Sequence, residues 1–397
     1  MDIRRIAVVT TSRADYSHLV WPLRELAARD NIDVQIIALA AHLSPEFGQT
    51  IDEIEADGFT VDERIECLLS SDSDVGMAKT IGVAVQSLAD VLGRLRPDIL
   101  LLIADRYEML APAAVAVALR IPMAHIEGGE VSEGAIDDAV RNALTKMSHV
   151  HFTPTELSRQ RVLAMGEESW RVHRVGAPSL DNLRRAKLAS AAELTERLSL
   201  DFHAAPLLVA YHPVTLAQDT VAEADEVFDA LERLVSQWPI VFCFPNADAG
   251  SRQLIARARQ FCERTQGSGA RVYVNLDPVT FWSLLSQVAV LVGNSSCGIM
   301  EAPALALPCV NIGMRQRGRE RAKNVIDVDP DSQAIVDGVA CATSSQFRSS
   351  LVGMENPYGD GHAAERIADV LADLPLGDKL LIKRAVDLAP APPVPSL

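Results

Sequence analysis

Acidic residues cluster around one predicted strand exit. The stretch His125-Ile-Glu-Gly-Gly-Glu130 follows a short apolar run, and Asp137 and Asp138 open the helix that comes next. Asp105 ends the preceding strand. Like charges gathered at one place destabilise a protein unless they are protonated, paired or used for chemistry. The cluster therefore predicts proton transfer by carboxylates, on a substrate that the rest of the chain binds.

Asp105 lies in Ala104-Asp-Arg-Tyr-Glu108, directly after the predicted strand Ile99–Ile103. Strand ends carry function in parallel sheets that are covered by helices on both faces. An aspartate at this position is also a common cap of the following helix. The motif alone leaves both interpretations open.

Two other loops that follow predicted strands contain potential anion ligands. Thr10–Tyr16 lacks the glycines of a dinucleotide loop, but the planar fork of Arg13 suits a phosphate. Gly293-Asn-Ser-Ser-Cys-Gly298 opens a helix with small residues, two hydroxyls and backbone N–H groups, which is typical of a phosphate cradle. A serine-capped helix is the ordinary alternative for both loops, with Ser12 as the cap in the first.

Three more residues suit a nucleotide ligand. His212, at a strand end, would contact phosphate, act as an acid near neutral pH or serve as a structural donor. Glu301 would repel phosphate, so we assign it to ribose hydroxyls. Arg315 leads the basic run Arg315–Lys323, which has a formal charge of +4. A phosphate clamp or a solvated loop suits this run better than nucleic-acid binding, because the chain is acidic and the run lacks aromatic residues.

Composition narrows the class of protein. The chain has 397 residues and a net charge of -16, which argues for two domains and against nucleic acid or an anionic membrane as the main partner. Its six cysteines show no CxxC or metal-ligand spacing, which is typical of reduced thiols in a cytoplasmic protein. No apolar N-terminal segment is long enough for a signal peptide or a membrane span. We expect no metal and no cofactor.

Apolar runs alternate with helical patterns throughout, and this predicts two doubly wound, Rossmann-like α/β domains facing a cleft. Runs that are apolar on both faces indicate parallel strands. The predicted strands are Arg5–Thr11, Asp33–Ala40, Asp98–Ile103, Pro122–Glu127, His149–Phe152, Leu207–Tyr211, Ile240–Phe244, Arg271–Val274, Ala289–Val292 and Cys309–Ile312. The predicted helices are Ser17–Arg29, Met77–Arg94, Tyr107–Leu119, Val221–Gln237, Ser251–Arg264 and Gly298–Leu305.

The predicted domain bounds follow from these patterns. Residues 1–178 form the catalytic domain and residues 179–355 the nucleotide-binding domain, with a hinge at Val175–Ser179, where Gly and Pro interrupt both periodicities. Residues 375–397 form a tail, of which Ala389–Leu397 is rich in proline and expected to be disordered.

The motifs in order resemble the hydrolysing UDP-N-acetylglucosamine 2-epimerases of sialic-acid biosynthesis. The likeness runs from about Ile6 to about Leu371, and the ordered set is specific although each motif alone is weak. The motifs that carry it are Ser12–Tyr16, Asp105–Glu108, His125–Glu130, Ile136–Asp138, Asn246–Gly250, Gly293–Gly298, Arg315–Gly318 and Asn356–Gly361.

The resemblance implies a glycosyltransferase-B-type fold, and a C-terminal helix in residues 356–374 that crosses back to the first domain. It implies an often dimeric or tetrameric enzyme that converts UDP-N-acetylglucosamine and water into N-acetylmannosamine and UDP. The implied catalytic residues are Asp105, Glu127 and Asp137, with His212 as a further candidate. The implied nucleotide or substrate contacts are Arg13, Asn246, Ser295, Ser296, Glu301 and Arg315.

Two positions depart from the family pattern. The usual glycine before the Asp-Arg pair is Ala104, and one extra residue separates Glu130 from Asp137, which leaves Asp137 and Asp138 as alternatives. Within the acidic stretch, Glu127 is the predicted catalytic group, and Glu130 is assigned a structural role near the two glycines.

We expect elimination of UDP to a 2-acetamidoglycal, followed by re-addition of water. The closest alternative is the same chemistry on UDP-2,4-diacetamido-2,4,6-trideoxyhexose or a GDP-sugar, on the way to legionaminic-type acids. A glycosyltransferase of the same fold and a non-catalytic nucleotide-sugar sensor are the alternatives from other classes.

Overall fold

The computed structural model describes residues 3–69, 73–133, 136–212, 220–244, 249–265, 267–274 and 276–386. The chain divides into two compact units. The first unit comprises Met1–Glu130, Ile136–Pro178 and Gly361–Leu397. The second unit comprises Val131–Ala135 and Ser179–Asp360.

A seven-stranded parallel sheet forms the centre of the first unit, in the order β3-β2-β1-β4-β5-β6-β7. Its central strands are buried on both faces, as their continuous apolar runs require. The strands are β1 Arg4–Thr10, β2 Ile32–Leu39, β3 Glu63–Ile65, β4 Ile99–Ile103, β5 Met123–Ile126, β6 Val150–Thr153 and β7 Val172–Arg174.

Helices connect these strands. They are α1 Arg13–Ala27, α2 Ile51–Ala56, α3 Asp74–Leu95, α4 Leu110–Leu119, α5 Ile136–Met147 and α6 Glu156–Ala164. By length and composition alone, α3 is apolar enough to cross a membrane. Its buried face, which includes Ala84, Leu88 and Leu92, packs into the core of the first unit.

The second unit repeats the plan with six described parallel strands, in the order β10-β9-β8-β11-β12-β13. Separate apolar clusters pack on this sheet. The strands are β8 Leu207–Ala210, β9 Ile240–Phe244, β10 Arg271–Val274, β11 Val290–Gly293, β12 Cys309–Ile312 and β13 Val325–Val328. The helices are α7 Ser179–Arg185, α8 Ala191–Leu198, α9 Thr220–Leu234, α10 Ala249–Arg264, α11 Pro278–Leu285, α12 Cys297–Met300, α13 Ser332–Thr343 and α14 Ser345–Ser350.

The last two helices, α15 Ala363–Asp373 and α16 Asp378–Leu381, belong to the first unit. Apolar residues of α15 join its core, and Arg4 Nη2 donates to the Leu374 carbonyl at 2.7 Å. The buried Arg171 donates to the carbonyls of Leu380 and Ile382 at 2.7 and 2.9 Å. The segment after α15 is therefore bonded through its backbone carbonyls to β1 and to the residue that precedes β7.

The predicted strands agree with the observed ones to within one or two residues, and the observed bounds of β9, β10 and β12 match the prediction. The prediction missed β3, β7 and β13, which are short edge strands with charged residues and weak apolar signals. The predicted helix Gly298–Leu305 is α12 followed by a 3-10 turn at Ala302–Leu305, because Pro303 interrupts the α-helical bonding. The predicted tail Ala389–Leu397 lies outside the described residues.

From its buried histidines we expect the folded protein to lose stability in mild acid. Burial lowers the pKa of His125 to about 3 and that of His149 to about 4. These imidazoles stay neutral in the folded protein while the unfolded chain takes up protons near pH 6.5. The unfolding free energy therefore falls as the pH drops from 6.5 towards these values, by about 1.4 kcal/mol per pH unit for each histidine.

We expect His125→Gln to reduce the difference in unfolding free energy between pH 7 and pH 5 by about 2 kcal/mol, as measured by urea denaturation. His203→Gln is the matched control, because that side chain is 95% exposed, and it should leave the difference unchanged. An equal pH dependence in His125→Gln and the wild type would contradict the prediction.

Candidate active site

The backbone at the exit of β5 holds Glu127 in a strained conformation. Its φ is +67°, a left-handed value that costs a non-glycine residue about 1 kcal/mol or more. The Glu127 N–H donates to the Phe152 carbonyl at 2.8 Å, and the residue is 8% exposed. A strained and buried glutamate at a strand exit is typical of a functional site.

The two glycines after Glu127 let this turn lie against neighbouring elements. Gly129 has a φ of +80°, and a Cβ there would lie 2.2 Å from the carbonyl oxygen of Ser158 on α6. A Cβ at Gly128 would lie 3.1 Å from Thr145 Oγ1. Glycine at 129 is therefore required by both conformation and space.

His125 is a neutral structural donor within this site. Its Nε2–H donates to the carbonyl oxygen of Ala104 at 2.8 Å, which joins the exits of β5 and β4. Ala104 itself has a φ of +56°. This conformation explains why glycine suits the position in the family pattern, and the alanine here is accommodated at the expense of local strain.

His18 lies directly against the predicted catalytic glutamate. Its Nδ1 is 2.8 Å from Glu127 Oε1, and its side chain is 25% exposed. Sequence reasoning missed this residue, which lies on α1 and is 109 positions away from its partner in the chain. The available signal was its place on the helix that follows β1, an element whose start lies at the functional edge of the sheet.

Arg141 pairs with the acidic cluster. Its buried guanidinium donates to Asp105 Oδ2 and to the Glu130 carbonyl at 3.1 Å, and it lies 3.9 Å from Asp138 Oδ1. Sequence reasoning missed this residue too, although it lies three positions after Asp138 on α5, where side chains share a helix face. The alternative of Asp105 as a helix cap is wrong, since Arg106 occupies the cap position and Asp105 binds Arg141 instead.

Glu130 accepts a hydrogen bond from the Ser158 hydroxyl and is 5% exposed, in agreement with its predicted structural role. Asp137 is half-buried in the first turn of α5. Arg13, the first residue of α1, lies with its Nε 3.4 Å from Glu53 Oε2 at the partly exposed surface.

A second polar network lies beneath the exits of β1 and β4. Burial raises the pKa of Asp15, whose carboxylate accepts the Thr11 N–H at 2.9 Å and also the Thr11 hydroxyl. Arg106 Nη2 donates to the fully buried Glu108 at 2.7 Å. The predicted cap Ser12 makes no side-chain cap bond. Asp15 and Arg106 are within the motifs singled out from the sequence, but their roles were not predicted.

In the second unit, Asn294 organises the strand exits. A Cβ at Gly293 would lie 2.2 Å from the Ala210 carbonyl oxygen, so only glycine lets β11 approach β8 here. The fully buried Asn294 side chain accepts the His212 N–H at 2.7 Å and donates to the His212 carbonyl at 2.8 Å. The Asn294 carbonyl accepts bonds from Arg315 and Gln316 at 2.9 and 2.8 Å.

This arrangement brings together His212, Arg315 and the loop of Ser295 and Ser296. Burial and the neighbouring Arg315 lower the pKa of His212 to about 4, so the imidazole is neutral at pH 7. It is therefore a neutral hydrogen-bonding group rather than an acid that titrates near neutrality.

Ser296 occupies the cap position of α12 without a side-chain cap bond, so a serine-capped helix is not what this loop forms. Ser295 Oγ lies 3.1 Å from Cys297 Sγ, and both serines are partly exposed. Glu301 is 8% exposed at the end of α12.

Two further predictions concern the site's composition. Asn246 lies outside the described residues. Within the residues that the structure describes, no group of three or more His, Cys, Asp or Glu is arranged to hold a metal.

Comparison with known proteins decides the family. The model of the UDP-N-acetylglucosamine 2-epimerase family matches residues 24–372. The chain belongs to this family. The predicted resemblance to its hydrolysing members is confirmed, since two relatives carry that activity in their names.

The first relative, the hydrolysing UDP-N,N'-diacetylbacillosamine 2-epimerase of Legionella pneumophila, is 36% identical over 96% of this chain and 99% of its own length. The second, the hydrolysing GDP/UDP-N,N'-diacetylbacillosamine 2-epimerase of Campylobacter jejuni, is 34% identical over 82% of this chain and 85% of its own length.

The fold is also similar to a solved structure, that of the UDP-GlcNAc 2-epimerase of Neisseria meningitidis bound to UDP-GlcNAc. The TM-score is 0.77 at 19% identity, over 93% of this chain and 100% of that one. The prediction of a two-domain α/β fold of the glycosyltransferase-B type is confirmed.

We expect Gly129→Ala to displace the turn that carries Glu127, because its Cβ would meet the Ser158 carbonyl at 2.2 Å. Turnover should fall at least about 10-fold, since small displacements of catalytic groups are costly. Gly166→Ala is the matched control: its φ of +85° is equally left-handed, but its Cβ would meet nothing within 4 Å. Equal activities of the two variants, measured at equal folded fractions by circular dichroism, would contradict the assignment.

Proposed function

We propose that this epimerase hydrolyses and epimerises UDP-2,4-diacetamido-2,4,6-trideoxyhexose, releasing UDP and the free sugar inverted at C2. The observation that carries the chemistry is Glu127, strained at a strand exit with His18 against its carboxylate. The choice of sugar is supported by the two relatives of 36% and 34% identity, both named for UDP-diacetylbacillosamine. The sequence motifs alone had favoured UDP-N-acetylglucosamine over this substrate.

UDP-N-acetylglucosamine is the second candidate. It is favoured by the description of the matching family, and by the similar Neisseria structure that was solved with this nucleotide sugar. The two substrates share the C1–O bond to UDP and the 2-acetamido group. They differ at C4 and C6, so the chemistry below applies to both.

The reaction begins with an elimination. A base removes the proton from C2 while the C1–O bond to UDP breaks, so that C1 and C2 become joined by a double bond and UDP departs. Water then adds its hydroxyl to C1, while C2 receives a proton on the face opposite to the one it lost. The products are UDP and the free sugar with inverted C2.

The acidic cluster of the first unit offers the groups for these proton transfers. We assign the C2 proton transfers to Glu127 and Asp105, and the handling of water to Asp137. His18, 2.8 Å from Glu127 Oε1, is suited to orient that carboxylate and to exchange its proton. Arg141 holds Asp105 in one orientation, which a proton transfer over hydrogen-bond distance requires.

The second unit offers the groups for UDP. Arg315 and the N–H groups around Ser295 and Ser296 are suited to the charge that develops on the leaving diphosphate. Neutral His212 would donate a hydrogen bond to a phosphate oxygen, and Glu301 would accept bonds from the ribose hydroxyls. Arg13 and Asn246 remain predicted substrate contacts.

Both sugar nucleotides should be incubated separately with the enzyme in D2O, with no acceptor present, and the products identified by NMR. We expect faster release of UDP from the diacetamido substrate, and deuterium at C2 of the free sugar. Faster turnover of UDP-N-acetylglucosamine would assign the second candidate. Product that carries only protium at C2 would exclude the elimination, and two intact substrates would favour a transferase or a sensor.

Replacing Glu127 by Gln tests its role directly. We expect turnover to fall about 100-fold or more, because the amide cannot accept the C2 proton. Glu156→Gln is the control, as this carboxylate is partly exposed on α6 and paired only with Arg159 among the contacts the structure shows. Activity of Glu127→Gln close to that of Glu156→Gln would remove Glu127 from the catalytic residues.

A further inference from the structure

A short segment of the N-terminal half belongs to the second unit. Residues Val131–Ala135 group with Ser179–Asp360, while Glu130 before them and Ile136 after them belong to the first unit. The segment thus connects the turn of Glu127 to the start of α5, which carries Asp137. A displacement of this segment would therefore act on the turn before it and on the helix after it through the covalent chain.

Arg319 of the basic run binds this segment. Arg319 Nε donates to the Val131 carbonyl at 3.0 Å, and Arg319 Nη1 lies 3.7 Å from Met300 Sδ. The bond is directed to a backbone carbonyl, so it fixes the position of the chain rather than that of a mobile side chain. Nothing in the acidic composition or the charge of the run predicted it.

Gly318 brings the two segments into close contact. Its φ is +82°, and a Cβ there would lie 3.0 Å from Glu133 Oε1 and 3.1 Å from Val131 Cγ1. Residues 131 and 133 therefore pack directly on the backbone of Gly318. The absence of a side chain at Gly318 is what gives them room.

The same loop holds the candidate nucleotide ligands. Arg315 and Gln316 donate to the Asn294 carbonyl, four and three residues before Arg319. Arg321 braces the loop by donating to the carbonyls of Arg319 and Gln316 at 2.9 and 3.0 Å. These bonds tie Arg315, Gln316 and Arg319 into one hydrogen-bonded loop.

We propose that Gly318 and Arg319 are positioning residues, which hold segment 131–133 against the nucleotide-binding loop and so set the placement of Glu127 and Asp137. The proposal rests on the proposed function, because it takes Arg315 as a ligand of UDP and the two carboxylates as catalytic. Neither residue touches the substrate in this scheme. Their effect is on the chemical step, through the segment that they hold.

Arg319→Ala tests the polar contact, with Arg317→Ala as the matched control. Arg317 is in the same loop and carries the same charge, but its side chain is exposed and makes no hydrogen bond or ion pair within the described part of the chain. We expect Arg319→Ala to lower kcat at least about 10-fold, as misplacement of catalytic groups does. Its Kd for UDP, measured by calorimetry, should stay within about 3-fold of the wild-type value, because Arg315 keeps its own contacts. Arg319→Lys, which restores one donor, should recover part of kcat.

Gly318→Ala tests the packing contact, with Gly313→Ala as its control. Both glycines are left-handed, at +82° and +72°, but a Cβ at Gly313 would meet nothing within 4 Å. The backbone strain is therefore common to the two variants, and only Gly318→Ala displaces residues 131 and 133. We expect a loss of kcat in Gly318→Ala that Gly313→Ala does not show, at matched melting temperatures.

Three outcomes would overturn the proposal. One is a kcat of Arg319→Ala equal to that of Arg317→Ala. Another is a loss of UDP affinity as large as the loss of kcat, which would make Arg319 part of the nucleotide site. If Arg319→Ala does not fold, the third outcome is a kcat of Gly318→Ala equal to that of Gly313→Ala. A wild-type enzyme that turns over neither sugar nucleotide would instead remove the proposed function, and this proposal with it.

Discussion

The acidic strand exits depend on the hydrogen bonds and ion pairs made by one buried guanidinium, that of Arg141. Moving a charge out of water costs several kcal/mol, and a carboxylate cluster adds mutual repulsion to this. Arg141 is bonded to Asp105 and to the Glu130 carbonyl, and it lies 3.9 Å from Asp138. One cation on α5 thereby stabilises groups that belong to the exits of β4 and β5 and to α5 itself. Removing one partner of such a buried pair costs about 3–5 kcal/mol.

Strained backbone conformations at the same edge of the first sheet set the orientation of the side chains there. Ala40, Ala104 and Glu127 each follow the last residue of a strand, and each has a positive φ. Such residues persist only where the surroundings over-determine them. The bond from His125 to the Ala104 carbonyl and the bond from the Glu127 N–H to the Phe152 carbonyl supply that constraint. The sheet therefore presents the Glu127 carboxylate from a fixed backbone rather than from a flexible loop.

In the second unit, a buried amide side chain rather than a charged one holds the strand exits in place. Asn294 is fully buried, and both polar atoms of its side chain are bonded to the backbone of His212. Its carbonyl meanwhile accepts from Arg315 and Gln316, so the basic run begins at a fixed point. Side chains of the basic run are bonded to carbonyls of their own unit. The positive charge of the run therefore stabilises the local structure as well as any anionic ligand.

The sequence by itself determined the fold class, the family and the set of chemical groups. Continuous apolar runs such as Ile99–Ile103 can be buried only between two layers of helices, and motifs in order are specific where single ones are weak. The strand exits were therefore predictable, and with them the positions of Asp105, Glu127 and His212 just after β4, β5 and β8.

Only the tertiary structure decided how those groups are paired and charged. The motif alone also allowed Asp105 to be a helix cap, but its carboxylate binds Arg141, 36 positions away, and His18 meets Glu127 across 109 positions. The sequence left His212 as a phosphate contact, an acid near neutral pH or a structural donor, and its burial beside Arg315, which lowers its pKa to about 4, argues against the acid. Propensity and periodicity act over a few residues. Burial and hydrogen bonds between distant residues set the charge and orientation of a side chain, and these exist only once the chain has folded.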